Sequence, residues 1–566
     1  MKNPSFPLLG LSLGLAFVAH AVPATIPAVQ GAGAQSPMVS QTVTVEGIVT
    51  GDFSGGAKFD GFFIQDRAGD NNPATSDGVF VYVNSRSRFA ATKLTEGDKV
   101  RVTGRVTEYK GQTQISSPTE LKILDHETHI EPMPLELKAD MNWEALEGML
   151  VRFPQTLVVT AQNDLPRFGT LKLSTSRLFN PTNQRTIEEI QAAPQPPVSI
   201  TLDDGSGDSY PKQQRYLDGK GTRRTGGTVS GLVGVVSQFD EDYRIEPTVE
   251  PELVDSNPRP FAPPIVGGTL RVAGANVLNY WTTFKNKENP NARGADNAPQ
   301  FERQNAKIMA EMKGLDGDVL GVMELENNPL TVAEFVRRLN AAYGDDEYAA
   351  VTDPAEGLGD DAIRVGLFYK PAKVEPLGAA RVATDKIFDR FPFAQTFRDK
   401  QTGGVFTVVV NHFKSKGSEP KTGDVDKGEG AWNLKRTQQA RLLAAFITQL
   451  VTESGDPDVL AFGDFNAYAQ ESPLRTLREA GLKHLNLRLP PEDRYSFSFD
   501  GLFGSLDHAL VTPSLDAQVT GFGEWHINAD EPFFNVYDRI KVTDFTPDPY
   551  RASDHDPFVV GMNLTP

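Results

Sequence analysis

The chain has 566 residues, of which 39% are hydrophobic, with Gly 50, Pro 40 and a formal net charge of −18. That length is too great for one core and predicts roughly two to four domains, while the apolar content excludes wholesale disorder. Cys is 0, which excludes disulfides, cysteine nucleophiles and thiolate zinc sites. The acidic balance argues against passive adhesion to nucleic acid but leaves room for a basic strip beside an acidic metal site.

Residues 1–21 read as a secretory signal. Lys2 gives a weak positive start, the apolar run 8–19 is too short to span a bilayer, and Ala19-His20-Ala21 has the small-x-small cleavage pattern. The alternative is an N-terminal membrane anchor. No later segment holds the run of about 18 apolar residues that a spanning helix needs. The expectation is a chain cleaved near Ala21 and released outside the cell or into the periplasm, without stable membrane association. No protein partner is legible.

Residues 22–40, rich in Ala, Pro, Gln, Gly and Ser, predict a linker. Residues 41–125 are β-patterned throughout, and five strands with glycines at the corners predict a small OB-like Greek-key barrel. Phe53, Phe62, Phe63, Phe80, Tyr82 and Tyr109 could stack bases, although at least half of them are expected in a core. Residues 126–256 predict a second β-rich, OB-like domain: Leu146-Glu147-Gly148 echoes Val45-Glu46-Gly47, and a polar insertion fills 182–224. Residues 257–267 predict a stiff Pro-rich linker. From 268 to 566, helical patterns at 300–312, 331–342, 434–451 and 472–480 alternate with apolar strands, which is α/β layering. If the barrels bind a strand and feed it to this last domain, deleting 42–256 should raise the Michaelis constant for long DNA but spare a small phosphodiester.

Short polar signatures sit at the ends of those apolar runs. Asn276 and Glu324 each close one, His412 closes Val408-Val409-Val410, and Gly463-Asp464-Phe465-Asn466 follows Val459-Leu460-Ala461-Phe462. Asp507-His508 and Ser553-Asp554-His555-Asp556 precede two more. Strand ends are where an open α/β sheet collects its chemistry.

The ordered set Asn276, Glu324, His412, Asp464-x-Asn466, Asp507 and Asp554-His555 resembles the endonuclease/exonuclease/phosphatase superfamily. The stretches Asn411-His412-Phe413-Lys414-Ser415-Lys416, Trp432-Asn433-Leu434-Lys435-Arg436 and Trp525-His526-Ile527-Asn528 are similar to large extracellular bacterial endonucleases. The resemblance implies a four-layer α/β sandwich and a divalent metal, Mg²⁺ first, with Ca²⁺ or Mn²⁺ as alternatives. It selects Glu324 over Glu326 as the main metal ligand, with Asn276 and Asp554 beside it; hard oxygen donors suit such ions. Asp464 would direct the attacking water and Asn466 would donate to a phosphoryl oxygen, unless the pair merely forms an Asx turn. His412 or His555 would protonate the leaving group, and Asp507 would hold the His555 tautomer. Arg364, Lys414 and Lys416 would meet substrate phosphates, with solvation as the alternative. His508 is expected to be a core histidine, and His526 is open between a turn and a substrate contact. The function implied is metal-dependent hydrolysis of DNA, with RNA as a further substrate. The rival readings are a phosphatase or phospholipid phosphodiesterase on the same scaffold, and a catalytically silent polymer-binding protein.

Overall fold

The computed structural model describes residues 21–55, 58–126, 128–212, 215–219, 221–287 and 289–566. Apart from Ala21, the signal segment lies outside them. No helix among the described residues is long and apolar enough to cross a membrane.

The first β body contains β1 (Thr42–Phe53), β2 (Gly61–Gln65), β3 (Gly78–Tyr82), β4 (Lys99–Tyr109) and β5 (Gln112–Asp125). β1 pairs antiparallel with both β2 and β4. β2 pairs with β3, β3 runs parallel to β5, and β5 pairs back onto β4, so the pairing forms a closed circuit. Alternate residues such as Val43, Val45, Val100 and Val102 fill its interior, as period-two patterning requires. The segment expected as a linker is structured. Val22–Pro23 pairs parallel with β1, and a short helix, Ile26–Gln30, is capped by Thr25. Ile26 and Val29, three apart, go into the same core.

The second β body holds a nine-stranded sheet. It includes β6 (Leu150–Arg152), β7 (Leu157–Ala161), β8 (Leu171–Ser174), β9 (Ile200–Leu202), β10 (Thr228–Ser230), β11 (Val233–Phe239) and β12 (Asp242–Val249). Its order does not repeat the circuit of the first body, so the local sequence echo does not extend to the pairing. Glu46 is exposed and pairs with Arg101, whereas its echo Glu147 is buried and accepts from Gln30 Nε2 and Thr113 N.

Residues 268–566 build two six-stranded sheets. One contains β13 (Leu270–Tyr280), β14 (Val319–Glu326), β15 (Ile363–Tyr369), β21 (Val519–Glu524) and β22 (Phe558–Met562). The other contains β16 (Val374–Val382), β17 (Phe393–Asp399), β18 (Val405–His412), β19 (Val459–Asp464) and β20 (Asp507–Val511). Val272, Val365, Phe406, Val410, Leu460, Phe462 and Phe558 pack between them. Phe462 enters this layer because Gly274 and Gly321 have no Cβ: one at Gly321 would lie 2.3 Å from the Phe462 ring. On the outer faces, α1 (Ala298–Leu315) and α2 (Pro329–Tyr343) cover one sheet, while α3 (Asn433–Ser454) and α4 (Ser472–Glu479) cover the other. The result is helix, sheet, sheet, helix. Asn297 and Asn328 cap α1 and α2 through their side chains, each just ahead of a proline in the first turn, a strong start signal.

The 257–267 segment is extended but does not hang free. Arg259 pairs with Glu531 at 2.9 and 2.7 Å, and Asn257 Nδ2 donates to Asp530 at 2.9 Å.

Candidate active site

Strand register brings the polar signatures to one end of the sandwich. His412 at the end of β18 is opposite Asp464 on the parallel strand β19, and Asp464 is opposite Asp507 on the antiparallel strand β20. Across the sandwich, Asn276 and Glu324 lie on the paired strands β13 and β14, and His555 lies just before β22. Glu324, His412 and Asp464 each offer a ligand atom, all within 4.8 Å of one another; Asp464, Asp507 and His555 do the same.

Glu324 reaches this cluster through an irregularity. The β13–β14 register shifts after Met323, and Glu324 has φ of 69°, a left-handed conformation costly for a side-chain-bearing residue. Its Oε2 accepts from the Asn279 N–H at 2.9 Å. Regular pleating would point Glu324 and Glu326 the same way, but the distortion separates them. Glu326 instead accepts from Thr282 N, Thr283 N and Thr331 Oγ1, which makes it a structural anchor.

His555 Nδ1–H donates to Asp507 Oδ2 at 2.7 Å, and Ser496 Oγ–H donates to the same oxygen at 2.6 Å. Burial pushes the His555 imidazole toward neutrality, but Asp507, Asp554 and Asp464 outweigh it and hold its pKa well above the ordinary value. His412 is the opposite case. Burial and then the Arg390 guanidinium hold its pKa well below the ordinary value, so it is neutral. Its Nε2 lies 3.5 Å from Asp464 Oδ2. Burial, followed by the charge of Asp554, raises Glu324; burial raises Asp464 as well, with Asp507 and Glu324 adding to the effect.

Several expected residues meet here: Asn276, Glu324, His412, Asp464, Asp507, Asp554 and His555. Asn466 follows at φ 48°. Its backbone N–H donates to Asp464 Oδ1 at 2.8 Å and its side-chain amide to Phe413 O at 3.2 Å, so the Asx turn is present. Two of the three expected phosphate contacts need correction. Arg364 is buried and forks onto Asp353 at 2.5 Å through both terminal nitrogens. Lys416 Nζ is held by both oxygens of buried Glu471 at 2.6 Å. Charges committed to such partners are unavailable to a substrate without breaking them. Lys414, half-buried, lies 5.3 Å from the Trp432 ring centroid. His508 is a core histidine, bonded to Ala467 O at 2.8 Å and His484 at 3.0 Å. His526 bonds Asp556 at 3.0 Å and stacks on Tyr495 at 3.8 Å.

The linear pattern gave no sign of five further contributors. Ser496 orients Asp507. Buried Arg390 donates to the His412 and Phe413 carbonyls and pairs with Asp361 at 2.7 Å. Arg293, Arg539 and Arg551 line a cavity of about 260 Å³ together with Asn279 and Asp554. They come from loops, where no periodicity marks them.

The donor set fits a divalent cation. Hard carboxylate oxygens converge with a neutral imidazole; burial first, and neighbouring carboxylates second, raise Glu324 and Asp464, and a cation would favour their ionised forms. Asp507 Oδ1 and His412 Nδ1 are buried without a hydrogen-bond partner. Glu324, Asp464 and His412 are the residues that would hold such an ion, with Asn276 and Asp554 adjoining.

Carboxylates paired with one neutral and one cationic histidine, at the strand ends of a two-sheet sandwich, define a hydrolytic site for phosphoester chemistry. Residues 275–555 match the Endonuclease/Exonuclease/phosphatase family, and this part of the chain belongs to it; members of that family are hydrolases acting on phosphoester bonds and generally use divalent metals. No curated protein matches the chain. Among solved structures, the human Nocturnin catalytic domain with bound sulfate is similar at 16% identity, over 53% of this chain and 97% of its own, with a TM-score of 0.35. A mannosyl-6-phosphatase of Bacteroides thetaiotaomicron is similar at 17% identity over 52% and 100%, with a TM-score of 0.35. D. rerio TDP2 complexed with single-strand DNA product is similar at 14% identity over 51% and 97%, with a TM-score of 0.33.

Proposed function

We propose that the chain is a secreted, metal-dependent phosphodiesterase that cleaves DNA internally and accepts RNA as a second substrate. The observation that carries the reading is the 2.7 Å Asp507–His555 pair facing Asp464 within one ligand-sized cluster. A bound divalent ion would supply charge neutralisation at the phosphoryl oxygens. Asp464 orients the attacking water and takes its proton. His555, kept cationic by Asp507, donates a proton to the leaving oxygen, a role that neutral His412 is less suited to fill at the start of turnover. Neutral His412, beside Asp464 and Glu324, would serve as a ligand of the ion. The arginine-lined cavity next to Asp554 supports a polymer over a monoester, because a nucleic acid brings a second phosphate that Arg293 and Arg539 can meet.

The experiment is incubation of the purified chain with plasmid, single-stranded DNA, RNA and a phosphomonoester, with Mg²⁺, Mn²⁺ or Ca²⁺ and with chelator. Metal-dependent conversion of supercoiled plasmid to nicked and linear forms is expected. Release of phosphate from the monoester with the plasmid left intact would overturn the reading. Export is tested separately, by N-terminal sequencing of the protein recovered from outside the cytoplasm.

A further inference from the structure

A cavity of about 660 Å³ lies between the two β bodies, far in sequence from the catalytic cluster. Buried Phe63 and Phe80, with ring centroids 4.8 Å apart, contribute to its wall. Tyr109 and Phe239, 60% and 42% exposed, also line it. Exposed rings of this size beside a recess mark binding surfaces more often than chance exposure.

Its polar lining is incomplete. Glu246 is 1% exposed, and its Oε1 accepts from Ser237 Oγ at 2.6 Å. The Glu246 Oε2 has no partner, and neither has the Oε1 of Gln238 beside it. Buried acceptors left unsatisfied are costly, and most such groups have a partner in the functioning molecule. Burial, and then the charge of Asp203, raise the Glu246 carboxyl well above its ordinary range, so it can donate a hydrogen bond as well as accept one.

The lining also says what the partner is not. Four carboxyl groups, Asp60, Asp203, Asp208 and Glu246, border the cavity against two cations, Lys58 and Arg244. Arg244 is paired with Asp203 at 2.8 Å and Asp242 at 3.1 Å, while Lys58 bonds the Asp52 backbone carbonyl at 3.0 Å. A phosphate chain entering here would meet more carboxyl groups than cations. A quaternary ammonium head would suit the rings but itself carries no N–H or O–H, and choline brings a single hydroxyl for the two acceptors Glu246 and Gln238.

We propose that this cavity binds a neutral, polyhydroxylated ring: a sugar residue of an oligosaccharide or polysaccharide. Sugar C–H faces lie against the partly negative faces of the rings, and sugar hydroxyls complete Glu246 and Gln238. The site is separate from the phosphoester centre and would hold the enzyme on a glycan-bearing surface.

The test is calorimetric titration of the full chain with cellohexaose, maltohexaose and chitohexaose, with an oligothymidylate and choline in parallel. At least one sugar is expected to bind. Tyr109→Ala, a change at an exposed position, should weaken that binding about tenfold or more while hydrolysis of a nitrophenyl phosphodiester is unchanged. Glu246→Gln should weaken it too; if that variant does not fold, Tyr109→Ala decides. The proposal falls if all three sugars give no heat, if Tyr109→Ala binds sugar as before, or if oligothymidylate or choline binds in a Tyr109-dependent way.

Discussion

Arg177, on a loop of the second β body, donates to Asp530 at 2.6 Å and lies 4.5 Å from the Tyr495 ring centroid. Tyr495 Oη–H donates to the same carboxylate at 2.9 Å, and its ring stacks on His526. Arg224 and Thr225 bond Asp530 as well. The second β body therefore completes a wall of the catalytic domain. Thr182, which donates to Glu471, and Asn183, which accepts from Ser505 N, extend the junction. This packing gives residues 42–256 a structural role at the catalytic domain in addition to any role in feeding substrate.

Arg177→Ala leaves the fully buried Asp530 with fewer partners. With Arg224, Thr225 and Tyr495 still bonded to it, loss of this charged hydrogen bond costs about 1–3 kcal/mol, read as a lower denaturant midpoint. Deletion of 42–256 removes Arg177, Arg224, Thr225 and Thr182 together. The remainder is expected to lose fixed near-UV circular dichroism and activity even on a small phosphodiester; an active remainder would contradict the account.

Asp530 also gives a pH signature. Burial raises its carboxyl, but Arg177 and Arg224 outweigh that and hold it well below the ordinary range. A depressed folded-state pKa contributes stability that is fully present above the unfolded value of about 3.9 and is lost as pH falls through the folded one. The stability gap between the wild type and Asp530→Asn should be largest near neutrality and narrow in the acid range, measured as denaturant midpoints across pH.

At the catalytic cluster, His555→Ala and Asp507→Asn should each lower turnover on plasmid by about 10²–10⁴-fold with the far-UV spectrum intact. Near-normal cleavage by purified His555→Ala would remove the assignment.

Glu324 and Glu326 should separate cleanly. Glu324→Gln is expected to weaken Mg²⁺ or Mn²⁺ binding by calorimetry and to abolish activity without loss of stability. Glu326→Ala strips the acceptor from Thr282, Thr283 and Thr331 and should cost about 1–3 kcal/mol. Reversed effects would exchange their roles.

Gly321→Ala places a methyl 2.3 Å from Phe462 between the sheets. Overpacking of that kind costs about 1–3 kcal/mol, visible as a lower thermal midpoint.

Much of the catalytic half was legible in the chain. Most of its strands read as apolar runs because they are covered on both sides, and α1 and α2 open on a capping asparagine beside a proline. Asn276, His412, Asp464, Asp507 and His555 stood out because each is a polar residue at the end or start of such a run. Glu324 was separated from Glu326 by family resemblance, not by pattern; the physical reason is a strand irregularity with no local marker. Arg364 and Lys416 looked free because the sequence does not display Asp353 and Glu471 as their partners. Residues 22–40 looked like a linker because Ile26 and Val29 are too few to mark a buried helix unless the sheet beneath them is known.

By itself the sequence determined the alternation of strands and helices, the absence of cysteine chemistry and the inventory of acids and imidazoles, because these follow from periodicity and composition. The tertiary structure alone decided which carboxylates face one another, which histidine carries charge and which cations are already spent. Those properties depend on distances of a few ångströms between residues hundreds of positions apart, and on how much water their burial removes.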